Sequence, residues 1–201
     1  MKKKEVVPKN SRYIPFTQQD YCCAPTCIQM VMYKNGIPLI PAEELGYHLG
    51  LIVPPSSKHL FYNAQTSSTK PPAGYGTRIY QKEFSPNIAL KKLKIPLSLT
   101  INKIANFDSS EEVFAFLKKI EKENKDVIFC FNHGALIDDP KRDWGHLVLF
   151  DRIIDNKYRI IDPSPTHPKW RLVASEKMFY AMKKHGEKPT AAGLWEINET
   201  K

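Results

Sequence analysis

Four cysteines are the clearest candidate nucleophiles of this sequence. Three of them lie close together, at Cys22, Cys23 and Cys27, and Cys130 lies far along the chain. A thiol attacks a carbonyl carbon as the thiolate, which a helix N-terminus and a nearby imidazolium both favour. The segment APTCIQMVMYKNG, which starts at Ala24, has the apolar spacing and early proline of a helix that begins at or just after Cys23. Cys22 and Cys23 are therefore the rival nucleophiles, whereas Cys27 and Cys130 fall on apolar faces typical of buried thiols.

Two histidines and one aspartate could activate such a thiol. His146 opens the apolar run HLVLFDRII after a glycine that would let a substrate backbone come close, and His133 in FNHGA has a similar setting. The run turns back at DNK and its partner strand ends at Asp162. An antiparallel hairpin brings His146 and Asp162 to the same end of a sheet, where a carboxylate would hold the imidazole's tautomer and stabilise its charged form. These residues alone leave His146 and His133 as alternative bases.

The secondary-structure elements that must position these side chains are mostly helices in the N-terminal half and mostly strands in the C-terminal half. Besides the helix after Cys23, the sequence predicts helices over 41–49, 85–93, 109–122 and 175–183, and strands over 97–101, 127–131, 146–154, 158–161 and 193–197. The continuous apolar run VIFCF at 127–131 is typical of a central strand. This order predicts an α+β fold in which an N-terminal helical part carrying the nucleophile packs on a mostly antiparallel sheet.

The chain length of 201 residues predicts one domain over 12–201, after a flexible basic arm over 1–11. The N-terminal MKKKEVVPKN lacks the apolar region of a secretory signal, and no apolar run is long enough to cross a bilayer. We therefore expect a cytoplasmic protein. Residues 53–80 are rich in proline, serine and glycine, which predicts a long irregular segment.

The net charge and the cysteine spacing limit the kinds of ligand and partner that the protein is expected to bind. The formal net charge of +9 permits an acidic partner such as nucleic acid, but the lysines are scattered along the chain, which favours several solvated faces. There is no CxxC pair, and three clustered cysteines do not suit a spread-out disulfide framework. We expect free thiols in a reducing compartment, no metal and no cofactor.

Two blocks of the sequence resemble those of the papain-like cysteine peptidases. The segment QQDYCCAPTCIQMVMYKNG is similar to the nucleophile segment of that superfamily, and most similar to that of the bacteriocin-processing, double-glycine leader peptidases. The segment WGHLVLFDRIIDNKYRIIDPS is similar to the block in which a histidine leads one strand and Asp-Pro ends the next. The two blocks occur in the expected order, and the middle of the chain has no counterpart in the pattern.

The resemblance assigns roles to the rival residues. It implies that Cys23 rather than Cys22 is the nucleophile and that His146 rather than His133 is the general base. It also implies that Asp162 orients the base. The fold that it implies is the papain-like cysteine proteinase fold.

The resemblance further implies that a glutamine shortly before the nucleophile donates to the oxyanion. Gln18 has the better spacing and Gln19 is the alternative. Two departures accompany these matches. Ala24 replaces the usual glycine. The interval from Cys23 to His146 is longer than in the compact leader peptidases, which implies that residues 53–80 are an irregular insertion that forms a lid or blocks the cleft. The implied function is a cysteine peptidase or amide hydrolase that acts on a peptide or amide through an acyl-enzyme. The alternatives are acyl transfer by the same machinery and an inactive basic binding module on a peptidase-like fold.

Overall fold

The computed structural model of the chain describes residues 8–200. The helices of this part of the chain are α1 (Cys23–Lys34), α2 (Ala42–His48), α3 (Pro86–Lys92), α4 (Ser110–Lys122), α5 (His133–Ile137) and α6 (Ser175–Gly186). The strands are β1 (Ile52–Val53), β2 (Gln65–Thr66), β3 (Leu97–Lys103), β4 (Asp126–Asn132), β5 (Gly145–Ile154), β6 (Lys157–Ile161), β7 (Trp170–Ala174) and β8 (Gly193–Glu199). Short 3-10 helices cover Pro55–Leu60, Lys82–Phe84, Ile104–Asn106 and Pro140–Arg142. Among residues 8–200, no helix has both the length and the apolar character needed to cross a bilayer.

The main sheet has six strands in the order β3-β8-β4-β5-β6-β7, and every neighbouring pair is antiparallel. Strand β4 lies inside this sheet, between β8 and β5. Its side chains alternate, because Val127 and Phe129 join one core cluster whereas Ile128 and Cys130 join the other. Both faces of β4 are therefore covered, which explains why its sequence is apolar at successive positions.

Helices cover both faces of the sheet. Residues of α1, α2 and α3 pack with Ile128 and Cys130 on one face, and residues of α4 and α6 pack with Phe129 on the other. Helix α4 begins as its sequence predicts, since the side chain of Ser109 accepts a hydrogen bond from the backbone N–H of Glu112. The predicted α+β class, with N-terminal helices packed on a mostly antiparallel sheet, is confirmed.

Residues 1–7 of the predicted arm lie outside the described part of the chain. Its remaining residues make several contacts with the domain. The side chain and the backbone carbonyl of Asn10 accept hydrogen bonds from the guanidinium of Arg159 at 2.9 and 3.1 Å. The hydroxyl of Ser11 donates to the carbonyl of Tyr13 at 3.0 Å. The boundary between arm and domain stays a prediction.

Residues 53–80 contain little regular structure. They hold the 3-10 helix Pro55–Leu60 and the short strand β2, which pairs in parallel with β1. Phe61 and Ala64 of this segment form a small buried cluster with Cys22. The segment therefore packs on the residues that precede α1.

Candidate active site

Helix α1 places one of the four cysteines at a cavity. Cys23 is the first residue of α1 and is half-buried, and it lines a cavity of about 530 Å³. Cys22, Cys27 and Cys130 are buried. Burial raises the pKa of Cys22 to about 12 and also raises the pKa values of Cys27 and Cys130. The buried thiols are therefore poor sources of thiolate, and Cys23 is the cysteine that can meet a substrate.

A strained turn at Tyr21 precedes the two adjacent cysteines, whose side chains point in different directions. Tyr21 has a φ of 65°, in the left-handed region that residues other than glycine rarely adopt. Its ring packs against Phe61 at 6.3 Å and Tyr75 at 6.1 Å between centroids, and these contacts hold the turn. Cys22 then points into the cluster beneath residues 53–80, whereas Cys23 faces the cavity. Backbone strain of this kind concentrates at functional sites.

His146 and Asp162 form a buried pair. The ring nitrogen Nε2 of His146 lies 2.8 Å from Oδ1 of Asp162, and both side chains are almost fully shielded from solvent. The pairing of Leu149 with Ile161 in the β5–β6 hairpin sets this geometry, since it brings the start of β5 beside the residue that follows β6.

Two further groups hold the carboxylate of Asp162. The backbone N–H of Ser164 donates to Oδ1 at 2.9 Å, and Nη1 of Arg171 donates to Oδ2 at 3.2 Å. Neither Ser164 nor Arg171 was predicted from the sequence. Ser164 follows Asp162 in an Asp-x-Ser turn that the sequence contains, whereas Arg171 reaches the carboxylate only through strand β7.

The second nitrogen of His146 is available to the thiol. Because Nε2 is bound to Asp162, Nδ1 is the ring nitrogen that remains for the Cys23 side chain. Burial disfavours the charged ring, but the Asp162 carboxylate and Cys23 outweigh it and raise the pKa of His146 to about 10. Burial likewise opposes ionisation of Asp162, yet the charge and hydrogen bond of His146 and the Ser164 N–H hold its pKa well below the usual range. The pair therefore exists as imidazolium and carboxylate at neutral pH.

The two candidate glutamines occupy different surroundings. Gln18 lines the cavity together with Cys23, and its backbone N–H donates to the carbonyl of Pro163 at 2.9 Å. That bond ties it to the loop after β6. Gln19 is exposed, and its side-chain Nε2 donates to the carbonyl of Leu60 at 2.7 Å. Gln18 is thus the glutamine that can reach a group bound at the thiol.

His133, the alternative base, lines the same cavity, but its ring contacts Trp144 and His167 and not a carboxylate of the described chain. It stacks on Trp144 with ring centroids 5.7 Å apart, and its Nε2 lies 3.2 Å from Nε2 of His167. Burial, with the neighbouring rings of His146 and His167, lowers the pKa of His133 to about 3. His167 was not predicted from the sequence, because its setting in PSPTHPK indicates only a loop.

Residues 53–80 form one wall of the cavity. Lys70 and Tyr75 line it, and the carbonyl of Ala73 accepts a hydrogen bond from the N–H of Gly145 at 3.0 Å. Gly74 packs so closely that a Cβ there would lie 2.8 Å from the Cβ of Trp144. This wall leaves Cys23 open to the cavity, so the segment does not block the thiol. Whether these residues are an insertion stays a prediction.

No group of three or more metal-ligating His, Cys, Asp or Glu side chains occurs within residues 8–200. The structure thus brings Cys23, His146 and Gln18 to one cavity, with Asp162 buried against His146, and Gln19 does not line this cavity. The roles of these residues stay predictions.

Neither a family model nor a curated protein matches the sequence of this chain. A solved structure does resemble it, namely the crystal structure of a Bacillus anthracis protein that is provisionally described as a C39-like peptidase. The TM-score is 0.53 and the identity 18%, over 98% of this chain and 100% of that one. At this identity the likeness is one of fold, and membership of the bacteriocin-processing group stays a prediction. The chain has a C39-like peptidase fold, and the predicted papain-like architecture is confirmed.

Proposed function

We propose that this chain is a cysteine peptidase that cleaves peptide bonds through a covalent acyl-enzyme. One observation carries the proposal: the half-buried thiol of Cys23 shares a cavity with His146, whose Nε2 lies 2.8 Å from the buried carboxylate of Asp162. Acyl transfer requires a nucleophile, a base that takes its proton and an acid that orients the base. Cys23, His146 and Asp162 are arranged in this order.

In the first half of the reaction, the sulfur of Cys23 attacks the carbonyl carbon of the substrate. A C–S bond forms, the carbonyl electron pair moves onto oxygen, and the proton that left the thiol resides on His146. The tetrahedral intermediate collapses when the C–N bond breaks. His146 gives its proton to the leaving amine, and a thioester of Cys23 remains.

Two donors are available to the developing oxyanion. The first N–H groups of a helix have no acceptor within the helix, so the backbone N–H of Cys23 at the start of α1 is free to donate. The side chain of Gln18 lines the same cavity. The positive end of the α1 dipole favours negative charge at this place as well.

In the second half of the reaction, water attacks the thioester. His146, now neutral, removes a proton from the water, the C–O bond forms and the C–S bond breaks. The acid product leaves and the proton returns to the Cys23–His146 pair. The cavity has room for a peptide segment together with this water, because its volume of about 530 Å³ lies in the range of small-ligand sites.

Selective alkylation tests the nucleophile. Iodoacetamide at neutral pH is expected to label Cys23 at least ~10-fold faster than the other three thiols, since these are buried and their pKa values are raised. Cys23→Ala is expected to abolish the fast label, and Cys22→Ala, a matched change at the adjacent position, to retain it. Equal labelling of all four cysteines would contradict the proposal.

Cleavage of a peptide mixture tests the reaction. The wild-type chain is incubated with peptides from a digested bacterial proteome, and new N-termini are identified by mass spectrometry. We expect cleavage that disappears in Cys23→Ala and in His146→Ala. Strong peptide binding without any new N-terminus would instead support the inactive binding module.

A further inference from the structure

Two imidazole rings meet at the edge of the cavity. Nε2 of His133 and Nε2 of His167 lie 3.2 Å apart, with ring centroids separated by 5.0 Å. A hydrogen bond between two ring nitrogens needs one proton between them, so one ring donates and the other accepts. The direction of this bond decides whether Nδ1, the other ring nitrogen of His167, carries a proton.

His133 is held neutral by its surroundings. It is 4% exposed, its ring stacks on Trp144, and its centroid lies 5.1 Å from that of His146. Since His146 is charged through its pairing with Asp162, a second positive ring at this distance is unfavourable. A neutral imidazole carries a single N–H, on either Nδ1 or Nε2.

The burial of Nδ1 selects between these two forms. Nδ1 of His133 is buried and has no hydrogen-bond partner among residues 8–200. A proton on Nδ1 would be an orphaned buried N–H, which native proteins rarely contain. The proton therefore sits on Nε2 of His133 and is donated to Nε2 of His167. The proton of His167 then sits on its Nδ1.

The loop that carries His167 is fixed by its own hydrogen bonds. The hydroxyls of Ser164 and Thr166 lie 3.0 Å apart, and the N–H of Thr166 donates to the Ser164 hydroxyl at 3.2 Å. The N–H of Ser164 is bound to Asp162. The ring of His167 is half-buried and lines the cavity. Of its two ring nitrogens, Nε2 is the one that has a hydrogen-bond partner within residues 8–200. A donor held in this way loses little entropy when it binds a ligand.

We propose that His167 is a substrate-binding residue that offers its Nδ1–H to a carbonyl oxygen of the bound peptide, and that His133 is a positioning residue that fixes this tautomer. The inference rests on the proposed function, because the ligand is the peptide that Cys23 attacks. It assigns to His133 a role different from the base that its sequence context suggested.

Nitrogen-15 NMR of the full chain, labelled at its histidines, tests the tautomers without any substrate. Protonated and unprotonated ring nitrogens resonate in separate regions. We expect the proton of His133 on Nε2 and the proton of His167 on Nδ1. A spectrum with the proton of His167 on Nε2 would overturn the inference.

Matched variants test whether His133 sets the tautomer. His133→Phe keeps a flat ring against Trp144 but removes the donor, so the Nδ1–H form of His167 is expected to decrease by at least half. His133→Gln retains an N–H donor and is expected to restore that form. His59→Phe, a change at an exposed histidine outside the cavity, is the control. An unchanged tautomer in His133→Phe would contradict the role of His133.

A covalent probe tests the contact with the peptide. A tripeptide of glycine with a C-terminal chloromethyl ketone alkylates Cys23, with formation of a C–S bond and loss of chloride. In this adduct, exchange of the His167 Nδ1 proton with water is expected to slow at least ~10-fold, and unchanged exchange would refute the binding role. If Cys23 does not react, the proposed function and the binding role both fail. A wrong tautomer in a reactive protein overturns the inference alone.

Discussion

Arg171 donates from Nη1 to Oδ2 of Asp162 at 3.2 Å, while His146 occupies Oδ1 of the same carboxylate. Both carboxylate oxygens of Asp162 are thus bound, which restricts rotation of the carboxylate. The ring of His146 is fixed through its hydrogen bond to the same group. Since the side chain of Arg171 is only 20% exposed, this contact is largely shielded from water.

We expect Arg171→Met to reduce kcat/KM for peptide cleavage about 10-fold, because a carboxylate free to rotate no longer orients the base. The high-pH limb of the rate profile should move to higher pH, because the variant lacks a positive charge that disfavours the imidazolium form of His146. Arg171→Lys retains the charge without the fork of donors and should recover only part of the rate. A pH–rate profile identical to that of the wild type would exclude this role for Arg171.

The neighbouring glutamines give a matched pair of variants. Gln18→Ala is expected to lower kcat by a factor on the order of 10²–10³ with little change in KM, because an oxyanion donor acts mainly in the transition state. Gln19→Ala removes an exposed contact with the carbonyl of Leu60 and should change kcat less than ~2-fold. Steady-state kinetics on one cleaved peptide measures both. Equal losses in the two variants would refute the assignment of Gln18.

The charged state of His146 makes stability depend on pH. The folded-state pKa is about 10 against an ordinary value of 6.5, so the folded protein binds this proton more tightly than the unfolded chain does. The resulting stabilisation is complete below about pH 6.5 and is lost as the pH rises towards 10.

We therefore expect the free energy of unfolding of the wild type, relative to His146→Gln, to decrease across this window by a few kcal/mol. Urea unfolding at a series of pH values measures the difference, and other groups that titrate in both proteins cancel. His133 and His185, whose pKa values are lowered, act below this window. A difference that does not vary between pH 6.5 and 10 would mean that His146 is not held in its charged form.

Gly145 leaves room for a buried ring behind the base. A Cβ at this position would lie 2.6 Å from Nε2 of His185 and 3.3 Å from the carbonyl of Ala73. Gly145→Ala is expected to destabilise the protein by about 1–3 kcal/mol and to lower activity, because the displaced chain carries His146 with it. His185→Ala in the same chain should relieve the clash. A double-mutant cycle by urea unfolding would show negative coupling, and strictly additive effects would contradict the steric explanation.

The elements that could be predicted from the sequence are those whose defining residues lie close together in the chain. Helix α1 begins at Cys23 because the proline and the apolar spacing that define it lie within a few turns. The β5–β6 hairpin is likewise encoded by two apolar runs and a turn, and it brings His146 beside Asp162. These two local features predict most of the candidate site.

Other features depend on pairings between distant segments. Strand β7 was not predicted, because it is a short edge strand in which Leu172 is exposed, so its sequence shows little apolar alternation. Arg171 therefore had no predicted place near Asp162. His167 lies in the connection between β6 and β7 and reaches the cavity for the same reason.

Strand β8 is the last strand of the described chain, yet it lies between β3 and β4 in the middle of the sheet. Neither of those strands pairs with the other, so a ribosome-bound chain that still lacks Gly193–Glu199 leaves β4 with one open edge. Trp195 and Leu194 of β8 also fill the cores on opposite faces. Strands β3 and β4 can therefore join in one sheet only after the ribosome has released Gly193–Glu199.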